Sequence, residues 1–126
     1  MRRPASLAEV AAWSTDRRVF HLHLADFVDE FRRSGSRAML AEEPCRLVLE
    51  YEGGDVSDAY LAAVAVSLAR EIQEPPPAWA WAESRKLRRP WFAWPGPALR
   101  ATLLAESPAP FRERNLFVSA NVLTRA

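Results

Sequence analysis

The sequence predicts a mainly α fold, built as one compact helical domain, and three features support this prediction. Large apolar residues recur at helical spacing between positions 20 and 31. The segment AYLAAVAVSLA, at 59–69, is apolar on nearly every side, as a buried central helix is. Eight of the ten prolines lie between 75 and 110, where they leave room only for short helices.

One domain is expected over residues 1–126, with a helical core at 1–73 and a Pro/Trp-rich lobe at 74–126 packed on it. A chain of 126 residues has the usual size of a single domain, and its 49% of apolar residues can form one core. Four of the five tryptophans lie in the lobe. Because disordered segments are poor in aromatic residues, we expect the lobe to be folded.

The first two helices have local start and stop signals. Ser6 and Glu9 have capping-box spacing, so a short helix should begin there. One of residues 14–16 should cap a second helix, from about 16 to 33, which Gly35 ends. The core face of this second helix should consist of Phe20, Leu24, Phe27, Val28 and Phe31.

The middle of the chain contains one ambiguous stretch. Residues 36–42 should form a short helix. The segment RLVLEYEGGD, at 46–55, fits either a short strand or a connection between helices. Its double glycine predicts a break, after which Asp55 or Ser57 should cap the central helix at 58–73.

The closing segment should lock the lobe onto the core. Short helical pieces are expected at 78–86, 97–105 and 109–114. Ser107 should cap the last piece, with Pro108 in its first position. The side chains expected to face the core are Phe111, Leu116, Phe117 and either Val122 or Leu123. Arg112 and Arg114 should project outward, where they serve either a partner or a structural ion pair.

No catalytic or metal-binding motif is found, so we predict a protein that is not an enzyme and needs no metal or cofactor. His21 and His23 would point about 200° apart on a helix, and Cys45 has no nearby ligand at zinc spacing. An enzyme is the weakest alternative, and its acids would be Asp26, Asp29 and Glu30. Because Arg32 and Arg33 lie within helical reach, a solvated, salt-bridged face is preferred.

The segment AWAWAESRKLRRPWFAWP interleaves aromatic and cationic residues. Single-stranded nucleic acid needs this composition, because rings stack on bases and cations neutralise phosphates. Alternatively, the rings pack the lobe onto the central helix, which is preferred, or they form a protein interface, where Trp and Arg are favoured. The candidate binding residues of this and the closing segment are Arg85, Lys86, Arg88, Arg89, Trp91, Trp94, Arg112 and Arg114.

Charge is distributed unevenly along the chain. Residues 1–82 carry nine Lys and Arg against thirteen Asp and Glu, whereas residues 83–126 carry eight against three. The basic end can meet an acidic partner, or the two halves can attract each other. The single cysteine and the lack of a signal-peptide-like run favour a cytoplasmic protein that does not enter a membrane.

Roughly the last 50 residues resemble a family of small actinobacterial proteins. The residues that carry the resemblance are Trp79, Pro90, Trp91, Phe92, Glu106, Ser107, Pro108, Phe111, Arg114, Asn115 and Phe117. Members of that family are encoded beside a nucleotidyltransferase-like protein, in the manner of AbiE-type toxin–antitoxin modules. The winged-helix motif of the larger AbiE-type antitoxins is missing from this sequence.

The resemblance implies a non-enzymatic binding protein, antitoxin-like, that covers a nucleotide-handling site on a nucleotidyltransferase-like toxin. A nucleic-acid-binding module that uses residues 79–94 is the alternative. These two functions differ in what the Trp/Arg segment contacts, and therefore in which of its side chains must be accessible.

Overall fold

The computed structural model describes residues 2–124, and the mainly α prediction is confirmed within them. The helices are α1 Leu7–Trp13, α2 Arg17–Ser34, α3 Ala38–Ala41, α4 Gly54–Glu71, α5 Pro97–Glu106 and α6 Ala109–Arg112. Two 3₁₀ helices, Ala78–Trp81 and Glu83–Arg85, follow α4. A two-residue parallel pairing joins β1, Trp91–Phe92, to β2, Leu116–Phe117. None of the helices in this part of the chain is both long and apolar enough to cross a bilayer.

The predicted caps of α1 and α2 are confirmed. The Ser6 hydroxyl accepts a hydrogen bond from the Glu9 amide at 3.1 Å, and the Glu9 carboxylate accepts one from the Ala5 amide at 2.8 Å. The Asp16 carboxylate caps α2 by accepting from the Val19 amide at 2.8 Å. Gly35 ends α2 with a φ of 43°, a conformation that favours glycine. These signals are local, so the sequence alone was sufficient to locate them.

Two long helices supply most of the core. The predicted α2 face of Phe20, Leu24, Phe27, Val28 and Phe31 is buried. In α4, every residue from 57 to 66 is buried. Many of them are alanines, which allow neighbouring segments to approach closely. The central helix is therefore α4, with α2 on one side and the C-terminal lobe packed on it as well.

The predicted start of α4 was wrong by four residues. Residues 48–53 form turns rather than a strand, and α4 already begins at Gly54. The buried Asp58 carboxylate accepts hydrogen bonds from the Leu47 and Val48 amides, at 2.8 and 3.1 Å, which pulls that turn onto the helix. A Cβ on Gly54 would lie 1.8 Å from the Leu47 carbonyl oxygen, so this position requires glycine. The double glycine marks a close approach as well as a break.

The closing segment does enter the core. Phe111 and Leu116 are fully buried, Phe117 is nearly so, and Val118 joins them. The predicted cap at Ser107 was wrong, because Pro108 occupies the cap position of α6. The Ser107 hydroxyl instead donates to the Leu116 carbonyl at 2.8 Å, and so ties the start of α6 to β2.

Candidate partner-binding surface

The structure divides the eight predicted binding residues into two sets. Arg85 and Arg114 are buried, with relative exposures of 1% and 0%. The remaining six are exposed or half-buried; they are Lys86, Arg88, Arg89, Trp91, Trp94 and Arg112. The prediction that Arg114 projects outward was therefore wrong, and Arg85 of the Trp/Arg segment is enclosed as well.

Arg114 connects two pieces of the lobe from the inside. Its Nη1 donates to the Pro110 carbonyl at 2.7 Å, and its Nη2 donates to the Ala80 carbonyl at 2.8 Å. The guanidinium lies over the Trp81 ring, 5.4 Å from its centre. Burial lowers the pKa of Arg114, and the nearest carboxylate, that of Glu113, is 3.9 Å away. The Pro110 carbonyl of α6 and the Ala80 carbonyl of the first 3₁₀ helix thus both accept hydrogen bonds from one side chain.

Arg85 connects the lobe to the core in a similar way. Its Nη2 donates to the Pro44 carbonyl at 2.7 Å and lies 3.3 Å from the Glu43 carboxylate. Its Nη1 lies 3.9 Å from the Asp58 carboxylate. Burial raises the pKa of Asp58 above its usual value. The hydrogen bonds from the Leu47 and Val48 amides and the charge of Arg85 oppose this shift without cancelling it. Because Asp58 also holds residues 47 and 48, one buried cluster joins the second 3₁₀ helix, the 43–48 connection and α4.

Sequence reasoning missed both buried arginines, since nothing in their local spacing separates them from the exposed cations beside them. One signal was available for Arg85. Asp58 immediately precedes the apolar run of α4, and a carboxylate buried at such a position needs a hydrogen-bonding partner or a cation. No comparable signal existed for Arg114, because its partners are backbone carbonyls.

The exposed cations border a groove beside the N-terminal end of α4. Lys86, Arg88 and Arg89 line a hollow of about 450 Å³, together with Asp55 and Trp91. A second hollow of about 570 Å³ shares Lys86 and Arg88 with the first. Lys86 also pairs with Glu83 at 3.1 Å. The first hollow has three cations against Asp55, whereas in the second Lys86 and Arg88 are balanced by Glu83 and Glu113.

Most aromatic rings of the segment are already in contact with other parts of the protein. The Trp79 indole donates to the Leu40 carbonyl at 3.0 Å. Trp91 packs edge-on against Tyr60, with ring centres 6.0 Å apart. Phe92 stacks on Phe117 at 5.0 Å, and the Arg100 guanidinium lies 5.0 Å from the centre of the Phe92 ring. Trp94, in contrast, is 59% exposed.

The helix that follows Trp94 has an apolar outer face. In α5 only Leu103 is buried, and it packs toward β2. The face opposite Leu103 carries Ala98, Ala101 and Ala105, and Leu104 lies at its edge, about 100° around the helix from Leu103. All four residues are exposed. A surface helix normally carries charged or polar residues on that side. We call Trp94, Leu99 and these four residues the α5 surface.

Among residues 2–124, the predicted acidic residues of α2 form ion pairs, and the two histidines contact aromatic rings. Asp29 lies 4.0 Å from Arg3, and Glu30 lies 3.5 Å from Arg33, so ion pairs form along this face. The His21 ring packs edge to face against the Tyr60 ring, with ring centres 5.1 Å apart. The His23 ring packs in the same way against the Trp13 ring, with centres 5.6 Å apart. Within residues 2–124, no group of three His, Cys, Asp or Glu side chains is arranged to hold a metal ion.

His21 is expected to make stability depend on pH. Burial, and secondarily Arg17, lowers the pKa of His21 below 6.5. His21 of the unfolded chain therefore binds a proton more readily than His21 of the folded protein. The contribution of neutral His21 to the free energy of unfolding is fully present above the pKa that His21 has in the unfolded chain. It is lost as pH falls from that value through the pKa of the folded protein. Denaturant unfolding between about pH 8 and about pH 5 should show a smaller decrease for His21→Gln than for the wild type.

The matched control for this experiment is Leu22→Gln, at the exposed residue next to His21 on the same helix. Its decrease should equal that of the wild type, because the substitution changes no titrating group. An equal decrease for His21→Gln and the wild type would contradict the assignment.

No protein-family model matches this sequence, and searches of curated proteins and of solved structures give no match.

Proposed function

We propose that this protein is a non-catalytic binding protein, and that an acidic surface of a protein partner docks on the α5 surface. The observation that carries the proposal is the outer face of α5, which exposes alanines and leucines where a solvated helix would expose charges. Alanines allow a partner helix to come close, and Trp94 beside them is a residue type that anchors interfaces.

The surrounding charge favours an acidic partner. Because Arg85 and Arg114 are buried, they do not contribute to the exposed surface. Residues 83–124 then retain five other cations, Lys86, Arg88, Arg89, Arg100 and Arg112, against three glutamates. This excess of two positive charges is smaller than the sequence count suggests. Arg100 lies on α5 itself, and the excess would raise the rate at which an acidic partner meets this lobe.

The resemblance identifies a nucleotidyltransferase-like protein as the first partner to test. The sites that handle nucleotides with metal ions are rich in carboxylates, since Mg²⁺ is bound by oxygen ligands. The α5 surface, with Trp94 beside the helix and Arg100 on it, would block such a site by covering it. The proposed role of this chain is therefore that of an antitoxin-like protein that neutralises its partner by covering it.

A nucleic-acid-binding module is the second candidate, supported by the groove that Lys86, Arg88 and Arg89 line. It is less well supported because Trp79, Trp91 and Phe92 make contacts within the protein. Binding by stacking requires open ring faces. Labelled single-stranded DNA should therefore not bind detectably at low salt. Binding that weakens steeply as salt rises would favour this second function instead.

Co-expression with the neighbouring nucleotidyltransferase-like protein tests the proposal. The wild-type chain should restore growth and co-purify with its partner, whereas Leu104→Glu should do neither. Leu22→Glu is the matched control, since Leu22 is also an exposed helical leucine, at 55% against 49% for Leu104. It should behave as the wild type. Independent purification of the two proteins, with no rescue of growth, would overturn the proposal.

A further inference from the structure

A cavity of about 230 Å³ lies between α2 and the end of the described chain. One wall is a single face of α2, and the floor is Tyr60 of α4. The residues that line it are His21, Leu24, Ala25, Val28, Asp29, Tyr60, Val122, Leu123 and Thr124. The α2 residues stand three or four positions apart, so they form a stripe along the helix.

The segment that covers this cavity is held in place by backbone and side-chain bonds. Arg32 donates to the Leu123 carbonyl and also pairs with the Glu71 carboxylate at 2.9 Å. The Thr124 amide donates to the Asn121 carbonyl at 2.8 Å. Val122 and Leu123, one of which was expected to face the core, are half-buried and pack against it. Both also line the cavity.

The polar end of the cavity is formed by two rings. His21 and Tyr60 meet edge to face, with centres 5.1 Å apart. Tyr60 is 5% exposed, and its hydroxyl makes no hydrogen bond to another residue between 2 and 124. The oxygen is not fully enclosed, so it can exchange a hydrogen bond with a molecule in the cavity that Tyr60 lines.

We propose that this cavity binds a small, neutral molecule with one ring and one hydroxyl group, of the phenol or benzyl alcohol class. The ring would lie between Val28 and Leu123, and the hydroxyl would exchange hydrogen bonds with His21 and Tyr60. A cavity of roughly 150 Å³ lined by apolar side chains is large enough to hold benzene. The volume here leaves room for one additional substituent.

Burial in the cavity disfavours an ionised ligand, because a charge taken from water needs a partner that the apolar walls do not supply. Asp29 lines one end and is already paired with Arg3, at 4.0 Å. Arg17 lies near His21 at the other end, where it lowers the pKa of the imidazole and would repel cations. Burial also raises the pKa of Tyr60 to about 12, so the phenol remains protonated and can donate a hydrogen bond at neutral pH. An uncharged partner with its own hydroxyl suits both rings.

Binding of p-cresol, toluene and 4-methylbenzoate to the full chain tests this inference, with amide chemical shifts as the readout. These probes share a methylated ring and differ in the hydroxyl group or charge. We expect p-cresol to bind about fivefold more tightly than toluene, the effect of one hydrogen bond. Saturable binding of 4-methylbenzoate stronger than that of p-cresol would overturn the preference for a neutral ligand.

Three variants locate the site. Tyr60→Phe removes a hydroxyl without a partner among the described residues, so the fold should persist while the preference for p-cresol over toluene disappears. Ala25→Leu fills the cavity from the α2 wall and should abolish binding of both. Ala12→Leu, an equal change at an exposed position of α1, should bind as the wild type. Unchanged binding by Ala25→Leu, or no saturable binding by the wild type, would overturn the proposal.

Discussion

Deletion of residues 107–126 should abolish cooperative unfolding of the chain that remains. The deletion removes four buried apolar side chains, those of Phe111, Leu116, Phe117 and Val118. At about 1.5–3 kcal/mol each, their burial is comparable to the whole stability of a small domain, about 5–15 kcal/mol. It also exposes the part of α4 that α6 covers. The measurement is a thermal melt followed by tryptophan fluorescence.

A chain that ends at residue 118 is the matched control for this deletion. It keeps the four buried side chains and loses Val122 and Leu123, which are half-buried. It should still melt cooperatively, although at a lower temperature. A chain lacking 107–126 that melts at the wild-type temperature, with unchanged fluorescence, would show that the closing segment is an appendage.

Arg114→Met should lower the free energy of unfolding by about 2–4 kcal/mol. Two hydrogen bonds from a charged donor are lost, each of which contributes about 1.5–3 kcal/mol. Methionine offsets part of this loss, because its side chain fills similar space and carries no charge. The buried guanidinium, in contrast, is charged, and its Nε has no hydrogen-bond partner. The Pro110 and Ala80 carbonyls then remain buried without those donors. Denaturant unfolding at neutral pH measures the change.

Two further substitutions make the Arg114 result specific. Arg89→Met, at an exposed arginine, should change the free energy of unfolding by no more than about 0.5 kcal/mol. Arg114→Lys keeps the positive charge but cannot reach two carbonyls with a planar fork, so it should also be destabilising. Equal stability of Arg114→Met and the wild type would mean that the buried guanidinium is not structural.

The helices were predictable where short-range signals determine them. Ser6, Asp16 and Gly35 act through bonds within one turn, and the apolar face of α2 follows from its spacing. The start of α4 was not predictable in the same way. It depends on Asp58 binding the amides of residues 47 and 48, a contact across ten or more positions.

The candidate site was predictable only in composition. The sequence locates the cations and tryptophans, but a local pattern contains no information about which of them the fold encloses. Arg85 and Arg88 are three positions apart, yet one is buried against Asp58 and Pro44 while the other borders an open groove. Likewise, the short helix α5, which begins at Pro97, has an ordinary composition. Its exposed apolar face can be recognised only in the structure, where Leu103 packs inward.

The division between buried and exposed arginines also has a consequence for partner binding. Arg85 and Arg114 should influence a partner only through stability, whereas Arg89 and Arg100 should influence the association rate and its salt dependence. Loss of binding in a buried-arginine variant is therefore interpretable only beside its free energy of unfolding.

Docking on the α5 surface is tested most directly by the dissociation constant for the proposed nucleotidyltransferase-like partner, measured for the wild type, Leu104→Glu and Leu22→Glu. All three variants should unfold at similar temperatures, since both leucines are about half exposed. We predict a dissociation constant at least about tenfold higher for Leu104→Glu, because a charge enters an apolar contact and faces an acidic partner. Leu22→Glu should match the wild type. Equal constants for Leu104→Glu and the wild type, or no binding by the wild type, would contradict docking on α5.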